Sequence, residues 1–406
     1  MTNKSQEERK LAGMSLEALR DQYRQDLFED FLPFADQYVV DHELGGFMCN
    51  ADRDGARISE TKNTWFNGRG IWTYAFLYNH IDKKPEYLDI ARKAVAFMLN
   101  TMPPQDRLWA KNFTRDGAPV GGPDTEIYSD LFVAIGLAEY ARAVQDEAFW
   151  DIARKLMLKC VKIYDRPGYG AGPVGKDLPA TSGARILGHW MILLWLATQM
   201  LTFKEDPDVT AMASRCVDAI MNSHFNPDFG LLNEVINHDL SRPDNDLAQY
   251  VCTGHAIETL WMVMAEAERT GDAALFDLAA ERFRRHVDVA WDDVYGGVLH
   301  TLKHVDDNVW DLGKHMWVQE EVLTGAMVLI ERTESAWASE MFSRTFAYAK
   351  ENLWLKKYGH PLQMRSADRK ATFVPHASNI DVFHNPRHLM FNLLNLDRML
   401  GHAPPS

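Results

Sequence analysis

The sequence holds four cysteines in 406 residues, Cys49, Cys160, Cys216 and Cys252, scattered and without a CxxC pair. That argues against a disulfide framework, and a reduced, cytoplasmic setting is expected. Positive charge is also short: 43 Lys and Arg stand against 57 Asp and Glu, a net charge of −14. Phosphate neutralisation needs clustered cations, so nucleic acid is not an expected partner. No stretch approaches the roughly 20 apolar residues of a membrane span. The polar start, Met1-Thr-Asn-Lys-Ser5, has no apolar run of signal-peptide length. A Gly-x-Ser-x-Gly elbow is missing, which removes the common esterase reading. No low-complexity linker divides the chain, so one catalytic domain over residues 1–406 is expected.

Aromatic residues are plentiful: 12 Trp, 13 Tyr and 20 Phe, with several Trp beside polar residues rather than in apolar runs. Most will be core filler, but stacked aromatics are also what the C–H faces of a pyranose need. Helical periodicity dominates and predicts helices near 15–41, 67–81, 84–101, 126–145, 147–165, 184–203, 207–223, 248–270, 272–290, 314–331, 334–353 and 385–400. Tight turns such as Gln145-Asp-Glu147 and Thr270-Gly-Asp272 alternate with long connections. The long ones repeat a Gly turn that opens a short hairpin, as in Leu44-Gly-Gly-Phe-Met48, Phe229-Gly-Leu-Leu232, Tyr295-Gly-Gly-Val-Leu299 and Tyr358-Gly-His-Pro-Leu362. A helical hairpin thus recurs about every 60 residues. Six of them suit an all-α, toroidal (α/α)6 barrel of twelve helices, with the long loops and their β-hairpins on one rim. A linear solenoid is the alternative.

If those loops share a rim, the residues that open the alternate helices face one cavity. They are Thr64-Trp-Phe-Asn-Gly-Arg69, Asp124-Thr-Glu-Ile-Tyr128, His189-Trp190, Thr253-Gly-His-Ala-Ile-Glu258, Lys314-His-Met-Trp-Val-Gln-Glu-Glu321 and Phe383-His-Asn-Pro-Arg387. Each histidine or arginine alone reads more readily as a satisfied structural residue. Their joint placement points to chemistry on a sugar. Inverting C2 of a reducing sugar removes the C2 proton, passes through an enediolate and returns a proton to the other face. Histidine suits both transfers, and fixed donors must hold the enediolate charge. His255 and His384 are the candidate pair, with His189 assisting ring opening or proton delivery and Arg69 stabilising the enediolate. Glu258, about one turn beyond His255, and Glu321 on the next inner helix would orient these groups or a sugar hydroxyl. Trp65 and Trp317 would pack on the sugar, and Asn67, Tyr128 and Arg387 are further expected substrate contacts.

These segments resemble the N-acylglucosamine 2-epimerase superfamily, which includes cellobiose 2-epimerases and mannose isomerases. Thr64-Trp-Phe-Asn-Gly-Arg69 looks like its Trp-x-(Gln/Asn)-Gly-Arg segment. Gly254-His-x-x-Glu258, Trp317-Val-Gln-x-Glu321 and Phe383-His-x-x-Arg387 match three more. The resemblance implies an (α/α)6 barrel and deprotonation–reprotonation without metal or cofactor, with Arg69, His189, His255, His384 and the two glutamates in the roles above. Three positions depart: Ile192 stands where a Glu is frequent, Met316 replaces the first of a Trp pair, and Thr253 replaces a Pro.

The expected activity is a sugar 2-epimerase interconverting D-mannose and D-glucose. Aldose–ketose isomerisation, or epimerisation of a disaccharide or an N-acetylhexosamine, is the alternative; glycoside hydrolysis, which needs two flanking carboxylates rather than histidines, is a more distant one. Gly170-Ala-Gly-Pro-Val-Gly-Lys-Asp177 approaches a P-loop but lacks the Ser or Thr and follows a helix. His300 and His304 fall in a predicted hairpin, and no carboxylate or Cys obviously completes a zinc set with His376, His384 and His388, so no metal is expected. A small-molecule sugar is the expected partner, no membrane is expected, and a homodimer is left open.

Overall fold

The computed structural model describes residues 9–170, 172–173, 180–181, 183–354, 364–366 and 379–402. Among them are the expected twelve helices. Six form an inner ring: α2 (64–81), α4 (Tyr128–Val144), α6 (Leu187–Leu201), α8 (Thr253–Thr270), α10 (Met316–Thr333) and α12 (His384–Met399). The other six lie outside them: α1 (16–38), α3 (Pro85–Asn100), α5 (Glu147–Tyr164), α7 (207–223), α9 (Ala273–Ala290) and α11 (Ala336–Asn352). Helices α1, α2 and α7 each contain a π-helical stretch, at Asp26–Phe31, Leu77–Ile81 and Ala219–Ser223.

The layering follows from the sequence pattern. An inner helix is covered on all sides, and every residue of α6 is buried. An outer helix buries one stripe, as α5 does with Trp150, Ala153, Met157, Cys160 and Tyr164. Three of the turns between inner and outer helices share one device. A residue with left-handed backbone (Gln145, Gly271 or Glu334) ends the inner helix. The next residue (Asp146, Asp272 or Ser335) then caps the outer one with its side-chain oxygen. The ring closes where α12 meets α2, with Phe391 against Trp72 and Phe76 and the Thr73 hydroxyl donating to the Val382 carbonyl at 2.7 Å.

Most of the short strands decorate one rim. Lys62–Asn63, Ala110–Phe113 and Pro119–Pro123 make a three-stranded antiparallel sheet, and the others pair two by two. This pairing trims several predicted helices. Arg185–Ile186 pairs with Val235–Ile236, and Gly313–His315 with Met364–Ser366, so α6 and α10 start at Leu187 and Met316 rather than at 184 and 314. Residues Asp246–Gln249 form a 3₁₀ turn, and α8 begins only at Thr253. Helix α1 stops at Tyr38 because Val40 bridges Phe47. Most of the Gly170–Asp177 loop, the Tyr358–Leu362 turn and His376 lie outside the described residues. No helix among the described residues is long and apolar enough to cross a membrane.

Two of the Gly turns, those before α2 and α10, are held by the same lock. In each, an aspartate amide bonds the second Gly carbonyl: Asp41 N–H to Gly46 at 2.9 Å, and Asp292 N–H to Gly297 at 2.9 Å. A fully buried lysine in the strand before the next inner helix ties the turn down. Lys62 Nζ reaches Asp41 Oδ2 at 3.0 Å and the Gly45 carbonyl at 2.6 Å. Lys314 Nζ reaches Asp292 Oδ2 at 2.5 Å and the Gly296 carbonyl. An amide five residues later completes the lock: Asn67 Oδ1 accepts from Phe47 N at 2.9 Å, and Gln319 Oε1 from Val298 N at 2.8 Å. The rim is therefore bolted to the first turns of α2 and α10. Cutting a buried ion pair strands the other charge. Lys314→Met is expected to lower the unfolding free energy by about 3 kcal/mol in chemical denaturation. Lys62→Met is expected to cost less, because Arg115 also faces Asp41, at 2.8 Å.

Candidate active site

A cavity of about 520 Å³ opens at the rim where the inner helices begin, and His255, His384, Arg69, Trp65, Tyr128, Trp317 and Glu258 all line it. His255 and His384 sit in the first turns of α8 and α12. The Trp317 ring, in the first turn of α10, touches both, with ring centroids 5.9 Å from His255 and 5.4 Å from His384.

Each histidine is oriented by its own carboxylate. His255 Nδ1 bonds Glu234 Oε1 at 2.9 Å, and His384 Nδ1 bonds Asp381 Oδ2 at 2.6 Å. A carboxylate on Nδ1 fixes the tautomer and leaves Nε2 for proton transfer. Asp381 is itself fixed, since its Oδ1 accepts from the backbone N–H of Phe383 and of His384, at 2.7 and 2.9 Å. Burial alone would raise the Asp381 pKa, but His384, Arg69 and the two backbone bonds hold it well below the usual carboxylate range. For His255 burial disfavours the charge, yet Cys252 and Glu234 outweigh it and raise its pKa well above that of free imidazole. His255 and His300 in turn lower the pKa of the Cys252 thiol against its burial.

A buried charge knot lies under the two histidines. One Arg387 nitrogen, Nη2, reaches Glu258 Oε1 at 2.5 Å and Glu321 Oε1 at 2.5 Å, tying α12 to α8 and α10. Trp261 Nε1 donates to the other Glu321 oxygen at 2.7 Å. Two carboxylates around one guanidinium cannot ionise alike. Burial pushes Glu321 up to about 7, against Arg387 and with Glu258 adding to it. Burial opposes ionisation of Glu258 as well, but Arg387 and His384 outweigh it and its pKa falls. Glu258 is thus the charged floor of the site, with Oε1 4.0 Å from His384 Nε2.

Arg69 faces the cavity across a cage of aromatic rings, its guanidinium carbon 4.0 Å from the Phe132 centroid and 5.2 Å from that of Phe383. Its Nε has no acceptor among the described residues, so a donor there can meet an oxyanion. Trp65 is pinned by Nε1 donating to Ser129 Oγ at 3.0 Å and packs on Tyr128, ring centroids 4.8 Å apart.

Four expected site residues stand elsewhere than on the cavity wall. Asn67 is fully buried and holds the Phe47 turn. His189 lies one layer back, its ring 4.5 Å from that of Tyr128 and its Nε2 3.4 Å from the Tyr169 hydroxyl. Burial, aided by the His255 charge, pushes His189 down to about 3, so it is neutral and a poor proton donor for ring opening. Glu321 and Arg387 belong to the knot below the floor. Conversely, sequence reasoning missed Glu234, Asp381 and Cys252 and set His300 aside, and all four line the cavity. Asp381 carried a local signal, an Asp three residues before a helix-opening His. Glu234 carried none, because it reaches His255 from a rim hairpin.

These contacts set two expectations. Glu234→Gln removes a charge that raises the His255 pKa, so the limb of the kcat/KM pH profile reporting His255 moves to lower pH. The sign is the same whether His255 acts as acid or base, and a profile measured in both reaction directions checks it. Asp381→Asn keeps an oxygen for the backbone bonds but can turn the wrong partner to Nδ1. A loss of about 100-fold or more in kcat is expected, with an unchanged melting temperature.

The sequence model of the family described as N-acylglucosamine 2-epimerase (GlcNAc 2-epimerase) matches residues 45–385. The N-acylglucosamine 2-epimerase of Bos taurus is 26% identical over 295 residues, 70% of this chain and 68% of that protein. The structure of cellobiose 2-epimerase from Bacillus thermoamylovorans superposes with a TM-score of 0.79 at 18% identity, covering 93% of this chain and 99% of the other. That of a D-mannose isomerase does so with a TM-score of 0.74 at 16% identity, covering 95% and 97%. By the extent of the family match, this chain belongs to the N-acylglucosamine 2-epimerase family, whose members are isomerases of the sugar-epimerising kind.

Proposed function

We propose that the chain epimerises C2 of a reducing aldose, with D-mannose and D-glucose as its substrate pair. The observation that carries this reading is the pair of imidazoles, each bound by a carboxylate through Nδ1 and both lining one cavity around Trp317. With the open-chain sugar between them, one Nε2 takes the C2 proton and the carbonyl becomes an enediolate. Arg69 donates to the enediolate oxygens in a site where water is largely displaced, which makes a fixed cation more effective than in solution. The other imidazolium returns a proton to the opposite face. Such a cycle needs one histidine charged and one neutral at the start, and the anions beside His255 favour the charge there. His384 is then the base in that direction, and the roles reverse for the return reaction.

The choice of an unsubstituted monosaccharide is supported by one wall of the cavity. Ile186, Met191 and Ile192 present carbon there. A second pyranose laid on it would bury hydroxyls without partners, at a cost of about 1–3 kcal/mol each.

Incubating the protein with D-mannose in D₂O tests this directly. Glucose carrying deuterium at C2 is the expected product, and parallel reactions with cellobiose and N-acetylmannosamine are expected to be much slower. Fructose as the main product would contradict the epimerase reading. His255→Ala and His384→Ala are each expected to abolish turnover.

A further inference from the structure

At the cavity edge, Cys252 and His300, which the proposed reaction does not use, join Glu234 and His255 in one set of metal-ligating groups. Ligand atoms of Glu234, Cys252 and His255 lie within 4.8 Å of one another. His300 Nε2 stands 3.9 Å from Cys252 Sγ, and its other nitrogen is held by the Thr301 hydroxyl at 2.6 Å. Glu234 is 4% exposed, and its Oε2 is buried and makes no hydrogen bond to a side chain among the described residues. His300 and Cys252 both line the cavity, so the cluster is reached from solvent through the sugar site.

We infer that Glu234, Cys252, His255 and His300 form an inhibitory site for a thiophilic divalent cation, Zn²⁺ above all. One sulfur, two imidazoles and a carboxylate are a tetrahedral zinc set by type. With zinc bonds of about 2.0–2.3 Å, neighbouring donors of a tetrahedron lie about 3.5 Å apart, so Glu234, Cys252 and His255 close on an ion with shifts of about half an ångström to one ångström, and His300 turns in from beside the sulfur as the fourth ligand. The Thr301 bond holds the His300 ring with Nε2 towards the sulfur, the kind of outer support that metal-binding imidazoles carry. Mg²⁺ prefers oxygen donors in an octahedron and gains nothing from the sulfur. A bound zinc ion takes the lone pair of a His255 nitrogen and the charge of Glu234, which removes one of the two bases. The binding follows from the donor set alone; its inhibitory effect rests on the role proposed for His255.

The test is a zinc titration of the chelator-treated, full-length protein, read by calorimetry and by activity, with Co²⁺ as an absorbing probe. The expected result is one Zn²⁺ per chain, with activity lost in step with occupancy and restored by EDTA, and no effect of millimolar Mg²⁺. Co²⁺ is expected to give a near-ultraviolet thiolate-to-metal absorption. Cys252→Ser is expected to lose that absorption and weaken Zn²⁺ binding at least 100-fold, and His300→Gln to weaken it at least tenfold. If Cys252→Ser does not fold, His300→Gln decides alone. No zinc bound by the wild-type chain, or unchanged affinity in the folded variants, would overturn the site. Calorimetry and absorption need no substrate, so a chain that binds zinc but turns over no sugar refutes only the proposed function.

Discussion

The buried contact of Arg387 with Glu258 and Glu321 is the constraint on which the active site depends. It joins three inner helices, and it lies one turn below both bases: His255 precedes Glu258 by three residues, and His384 precedes Arg387 by three. Fixing the guanidinium between the glutamates therefore fixes how far apart the two imidazoles stand. Charged groups buried in one place are a poor source of stability, since desolvation consumes most of the attraction. Their value lies in position. A carbon-lined floor could fill the same space but would leave α8 and α12 free to slide along one another.

Above that floor, the electrostatics differ on the two sides of the cavity. His384 faces a single strong acceptor, Asp381, whose other oxygen is spent on the helix start. His255 faces Glu234 and the Cys252 sulfur, with His300 behind. Two imidazoles in unequal surroundings differ in which one holds a proton more readily, a condition that the proposed two-base exchange has to meet. The rim locks add the remaining order. Lys62 and Lys314 anchor the Gly turns to the strands that lead into α2 and α10, so Arg69 and Trp317 project from helix starts that cannot fray.

Much of the fold was legible in the sequence because it rests on local signals. Capping residues such as Asp146 and Asp272, with Gly271 before the second, mark the hairpin turns, and the length of every other loop marks the rim. Helix starts were less legible. Residues 184–186 and 313–315 have helical neighbours but pair as strands with segments far along the chain. In the site, His255, His384, Arg69, Trp65 and Trp317 were legible as polar or aromatic groups at helix openings. What residue type does not encode is depth. Asn67 and His189 share those openings yet point into the wall, where one braces a turn and the other stays neutral. Glu234 comes from a hairpin 21 residues before its partner, a distance over which no periodicity operates.

The central claim is that two histidines work from opposite faces of C2, and single-base variants measure it most directly. His255→Asn and His384→Asn would each be incubated with D-mannose and, separately, with D-glucose in D₂O, and deuterium at C2 followed by NMR. The two-base account predicts that each variant fails to interconvert the sugars but still exchanges the C2 proton of one of them, and that the two variants exchange opposite epimers. Interconversion at near wild-type rate in either variant, or exchange of the same epimer by both, would contradict it.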